Sequence, residues 1–202
     1  MTTVREIPTK LIAELRARTG AGMMDCKQAL GEAAGDLEKA AEILRARGAA
    51  RADKRSTRVA SEGLIEAYVH FNGKVAVLVE LNCETDFVAR TGDFRQLAKD
   101  LALHIASARP LAVRVEDLPT DIVEREHRIY EAQVADEQKP EAVKAKIVEG
   151  RLRKFYEEAV LLEQKFVKDD TKTVGDLVKQ LAANTGENVQ VRRFARFEFG
   201  GD

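Results

Sequence analysis

Cys83, Glu84, Asp86 and His104 are residues of the types that build a nucleophile, an acid and a base. A cysteine attacks only as its thiolate, so it needs a neighbouring base or an electropositive setting. The sequence supplies neither by pattern. The chain has three histidines, no serine-centred elbow, no glycine-rich phosphate loop and no H-E-x-x-H cluster. Cys83 closes an alternating apolar run, the usual place of a buried thiol. His104 shares a helical stripe with Leu97, Leu101 and Ile105, which suits a hydrogen-bonded, partly buried histidine better than a free base. Neither Cys83 nor Cys26 has a second Cys or a His at metal-ligand spacing, so no zinc site is expected.

Binding chemistry fares better, at two places. In TGAGMMD, residues 19–25, Gly20 and Gly22 bring the backbone tightly into a helix that begins with Met23 and Met24. Adjacent helical residues point about 100° apart, so the pair cannot both sit at the centre of a narrow core face. Either both help close a small core, or one reaches solvent as an adaptable contact. The second place is LNCETDFVAR, residues 81–90, where an acid, Asp86, stands beside an apolar ring, Phe87. Pattern alone favours Asp86 capping the next segment while Phe87 folds back into the core. The alternative is that a rigid hairpin holds the Asp-Phe pair outward as a wedge.

The elements that must position these residues are legible from periodicity. Residues 1 to about 48 read as three short helices. Leu11, Ile12 and Leu15 lie on one face of the first, with Pro8 at its start and Gly20 at its stop. Asp36 caps the third, which buries Leu37, Ala40, Ala41 and Leu44 and ends at Gly48. Residues 45–58 then carry six basic side chains and one acid. They read as a solvated linker or helix tail, or alternatively as a ribosome or RNA contact through Arg51, Lys54 and Arg55. Beyond them the apolar period shortens to two. GLIEAYVHF and KVAVLVELNC flank Asn72-Gly73, the signature of a hairpin with a type I′ turn. A helix follows to Pro110, two charged helical stretches span about 119–136 and 140–163, and Thr173 can cap a further helix that Gly186 stops. A last strand places Val189, Val191, Ala195, Phe197 and Phe199 at period two. The expected fold class is α+β, with a small antiparallel sheet and flanking helices.

Composition limits the function classes. With 202 residues, 45% of them hydrophobic, the chain can build a real core. Thirty-three basic against 34 acidic residues leave a net charge of −1, so no global attraction to nucleic acid or to an acidic membrane is expected. No stretch approaches the roughly 20 apolar residues of a membrane helix, and the N-terminus lacks the apolar core of a secretory signal. A cytoplasmic setting, with both thiols reduced, is expected.

Five segments in order, LRARTGAGMMDCKQAL (15–30), LVELNCETDFVAR (78–90), EGRLRKF (149–155), KFVKDD (165–170) and GENVQVRRF (186–194), resemble the successive motifs of the translation elongation factor Ts family. The resemblance covers nearly the whole chain. It implies a guanine-nucleotide exchange factor for the GTPase elongation factor Tu, not an enzyme with a covalent step. It implies an N-terminal three-helix (UBA-like) docking domain over 1–53 and an α+β core and dimerisation domain over 54–202. Arg16, Met23 and Met24 would dock on the partner's nucleotide-binding domain. Thr85, Asp86, Phe87 and Val88 would be inserted between two of its helices, disturbing its magnesium site; His104 lies in a segment at the same interface. No cofactor is implied for this chain, since GDP or GTP and Mg²⁺ are held by the partner. Longer members resemble a duplicated core, so this single-core chain is expected to form a homodimer, giving a two-plus-two complex. Some short members carry a bridging cysteine in the last strand; here Ala195 stands there, so packing alone must hold the dimer.

Overall fold

The computed structural model describes residues 7–201. The N-terminal stretch read above as lacking a secretory signal falls partly outside them. The fold is mixed α+β. The chain divides into two compact units: Met1–Gly63 with Asn82–Phe94 and Val178–Gln190, and Leu64–Leu81 with Arg95–Leu177 and Val191–Asp202.

The first unit opens with α1 (Thr9–Thr19), α2 (Met23–Glu32) and α3 (Leu37–Arg55). Ile12, Leu15, Cys26, Ala29, Leu30, Ala40 and Leu44 form their shared core, in keeping with the apolar spacing of the sequence. Gly20, at φ +71°, closes α1 in the left-handed conformation, and Asp36 caps α3 by accepting from the N–H groups of Glu38 and Lys39. Gly48 does not end α3, contrary to expectation. The helix runs on to Arg55, and a Cβ at Gly48 would meet the Ala183 Cβ at 3.0 Å. The glycine permits close approach of another helix.

The three-stranded sheet has the order β1 (Glu62–Val69), β2 (Val75–Cys83), β5 (Gln190–Glu198), with β2 central. The β1–β2 hairpin is as expected, but its turn is not type I′. A type I′ turn needs positive φ at both central residues. Here Gly73 is positive at +68° and Asn72 is not. Asn72 Oδ1 instead accepts from the Lys74 N–H at 2.9 Å, while the Gly73 N–H donates to the His70 carbonyl.

Buried residues of the second unit include Val77, Val79, Leu81, Leu101, Ile105 and Leu161. They come from β2, from α5 (Gly92–Ala108) and from the segment after α7. Helices α6 (Thr120–Ala135) and α7 (Glu141–Ala159) fulfil the two charged helical stretches, and β3 (Lys165–Phe166) pairs with β4 (Asp169–Thr173) in a small ribbon the sequence did not disclose. Helix α8 (Val174–Thr185) starts with a reciprocal pair: the Asp176 N–H donates to Thr173 Oγ1 and the Thr173 N–H to the Asp176 carboxylate. Among the described residues no helix is long and apolar enough to cross a membrane.

Candidate functional site

Between β2 and α5 the chain makes one short helical turn, α4 (Asp86–Ala89). Thr85, extended at φ −129°, caps it with its hydroxyl oxygen, 3.5 Å from the Val88 N–H. The cap is therefore Thr85 and not Asp86, whose carboxylate pairs with Arg90 at 2.9 Å. Side chains one residue apart on a turn diverge, and here Val88 and Ala89 take the inward directions. Phe87 is thrown outward, 81% exposed. The ring is not folded into the core.

Behind this turn, the base of the segment is gripped from a loop about a hundred residues away in sequence. Glu187 Oε2 accepts from the N–H groups of Glu84 and Thr85 at 3.0 and 3.1 Å, and its Oε1 accepts from the Thr85 hydroxyl at 2.6 Å. Glu84 answers by accepting from the Asn188 N–H at 2.6 Å. The buried Asn188 side chain donates in turn to the carbonyls of Ser56 and Arg58, just past α3. Gly186, at φ +75°, ends α8 and turns the chain so that Glu187 meets Thr85. Sequence reasoning missed Glu187 and Asn188. Both stand in the motif GENVQVRRF, but no local pattern shows that the Glu187 carboxylate has its donors across the fold.

The same unit carries the methionine turn. Met23 and Met24 are 55% and 75% exposed, so both reach solvent at the start of α2, and Arg16 is exposed on α1. The three-helix core is closed without them. Gly20 is favoured in the turn before them by its left-handed backbone, and the end of the Asn184 side chain lies close against it. A Cβ there would fall 2.5 Å from Asn184 Nδ2. The basic stretch is the exposed tail of α3. Two of its arginines are answered by acids of α2: Arg47 by Glu32 at 2.7 Å, and Arg51 by Asp25 through two contacts of 3.1 and 3.2 Å. Its one acid, Asp53, meets Lys179 at 3.0 Å.

The residues considered for covalent chemistry are each engaged elsewhere. The Cys83 thiol donates to the Thr85 carbonyl at 3.1 Å. Burial first, and then the Glu187 charge, push its pKa up to about 11, so it is protonated near neutrality and a poor nucleophile. Burial likewise raises the Cys26 thiol. His104 is fully buried. Gln164 Nε2 donates to the Glu158 and Ala108 carbonyls, which leaves Oε1 to accept from His104 Nε2 at 2.9 Å. The Val167 N–H donates to the other ring nitrogen at 3.3 Å. Burial, partly opposed by the Gln164 bond, lowers the His104 pKa, and the ring is neutral. In the chain by itself the ring is an interior residue, bonded at both nitrogens.

Against known proteins, a family model described as elongation factor TS matches residues 37–201. The chain is 56% identical to elongation factor Ts of Thermotoga sp. (strain RQ2) over 195 residues, 96% of this chain and 97% of that protein. It is 54% identical to that of Desulforamulus reducens over 96% of this chain and 90% of the relative, and 54% identical to that of Thermosipho melanesiensis over 96% and 99%.

Proposed function

The chain belongs to the elongation factor Ts family, and from that premise we propose that it is a guanine-nucleotide exchange factor for elongation factor Tu in the cytoplasm, acting by contact and not by covalent catalysis. The observation that carries the proposed mechanism is Phe87: an apolar ring held out in water on a capped turn whose neighbours Val88 and Ala89 are buried. Burying such a ring in a cleft of the partner contributes about 1.5–3 kcal/mol, available only when the cleft opens. Asp86, brought beside the groups that order the partner's Mg²⁺, competes for them and loosens the cation and with it the phosphates. Arg16, Met23 and Met24 supply the second contact, on the partner's nucleotide-binding domain.

Exchange on this reading is linkage. If the factor weakens nucleotide binding, nucleotide weakens the factor's binding equally, so incoming nucleotide expels it. Shifting the partner from about 1% to about 99% open needs about 5.5 kcal/mol of differential binding, more than one phenylalanine supplies. The methionine edge and the core contribute the remainder.

The chain acts as a homodimer. The outward face of the sheet carries Ile65, Val69, Leu78, Phe197 and Phe199, all exposed, and an apolar face of this kind on a soluble protein marks an interaction surface. With Ala195 in the last strand, no disulfide bridges it there. Direct RNA binding through Arg51, Lys54 and Arg55 is not favoured, since Arg51 is already paired with Asp25.

The test is release of fluorescent GDP from elongation factor Tu at fixed magnesium, with the native chain and with Asp86→Ala/Phe87→Ala. Fast release by the native chain and slow release by an equally stable double variant are expected. Equal release by both would remove the wedge.

A further inference from the structure

We propose that Glu187 is a positioning residue for nucleotide release: its carboxylate sets the Thr85–Val88 segment in the form that enters the partner, before any partner is met. The proposal rests on the exchange reading above. A four-residue helix cannot hold itself, because nucleating a single turn is unfavourable. Its conformation must come from outside. Buried Val88 and Ala89 fix one side, and Glu187 fixes the entry with one carboxylate on three donors, the N–H groups of Glu84 and Thr85 and the Thr85 hydroxyl.

The grip is reciprocal and extends to the methionine edge. Glu84 accepts from the Asn188 N–H, and the Asn188 side chain is tied to the carbonyls of Ser56 and Arg58. Three residues before Glu187, Asn184 lies so close to Gly20 that a Cβ there would clash with it. The segment from Asn184 to Asn188 thus touches both the turn that presents Met23 and Met24 and the base of the turn that presents Asp86 and Phe87. Glu187 need not touch the partner. It acts through Thr85, so that the ordering of the inserted segment is met in the free chain and not during insertion.

Three substitutions separate reach from charge. Glu187→Ala removes every acceptor. Glu187→Asp keeps the charge but withdraws it by one methylene. Glu187→Gln keeps the reach: its amide oxygen can accept from both N–H groups while its NH₂ donates to the Thr85 hydroxyl oxygen. GDP release from elongation factor Tu is measured against concentration of each variant, together with amide hydrogen exchange at residues 84–88 in the free chain. The expected result for Glu187→Ala is a maximal release rate about tenfold lower, with the half-saturating concentration changed less than about threefold and faster amide exchange at 84–88. Glu187→Asp should fall with it, and Glu187→Gln should stay within about threefold of native. Should Glu187→Ala fail to fold, the contrast between Glu187→Asp and Glu187→Gln carries the test. A Glu187→Ala variant that is folded and as fast as native, or a Glu187→Gln variant as slow as Glu187→Asp, would overturn the proposal while leaving the exchange reading intact. No acceleration by the native chain would remove both.

Discussion

Phe87→Ala isolates the ring from everything else in the molecule. At 81% exposure the free chain covers only about a fifth of it, so truncation leaves the core untouched. Full burial of a phenylalanine is worth about 1.5–3 kcal/mol, and the uncovered four-fifths therefore about 1.2–2.4 kcal/mol. At 1.36 kcal/mol per tenfold in rate, release of GDP from elongation factor Tu should slow by roughly 8- to 60-fold. The assay is stopped-flow release of fluorescent GDP at saturating factor and fixed magnesium, alongside thermal unfolding of the variant alone. The melting temperature should move by less than about 2 °C, the shift of well under 1 kcal/mol in a chain of this size. A variant of unchanged stability that releases GDP within about twofold of native would refute the reasoning, because the burial gain would then be absent from the transition state. A loss of more than about 5 °C would refute it differently, by showing that the ring supports the fold.

Three other outcomes follow from the geometry. His104, neutral and bonded at both ring nitrogens, has its pKa lowered in the folded state, so below its ordinary value near 6.5 the unfolded chain binds the extra proton. Stability should be full above pH 6.5 and fall as the pH drops below it, and His104→Gln should flatten that slope in melting curves taken between pH 7 and about 5. Gly175 donates its N–H to the Leu162 carbonyl at 2.9 Å, and a Cβ there would lie 2.8 Å from the same oxygen. Gly175→Ala should lower stability by about 1–3 kcal/mol in denaturant unfolding, since backbone and not a flexible side chain must give way. Leu78→Asp/Phe197→Asp, charged on the exposed sheet face, should give monomers in sedimentation velocity where the native chain gives dimers, and unchanged dimers would move the interface elsewhere.

What the sequence disclosed was local. The stripe of Ile12 and Leu15, the Asp36 cap, the Thr173 cap, and the glycines that close α1 and α8 all depend on neighbours within a few residues, and all stand as read. Of the two misreadings, one involves a distant partner and the other a side chain two residues away. Gly48 reads as a helix stop until Ala183 is seen against it. Asn72-Gly73 reads as a two-residue turn until the Asn72 side chain is seen bonding Lys74. The candidate site divides in the same way. LNCETDFVAR marked the segment, yet the direction of Phe87 depended on which neighbours the interior accepted, and GENVQVRRF enclosed Glu187 without pointing to its contact with Thr85. His104 fell on a buried stripe, as its periodicity implied.

The most direct measurement is the rate of GDP dissociation from elongation factor Tu as the native chain is titrated in at fixed magnesium. The account predicts an acceleration that rises with concentration and saturates, and that is reversed when excess nucleotide displaces the factor. A dissociation rate that stays flat across the titration would contradict it.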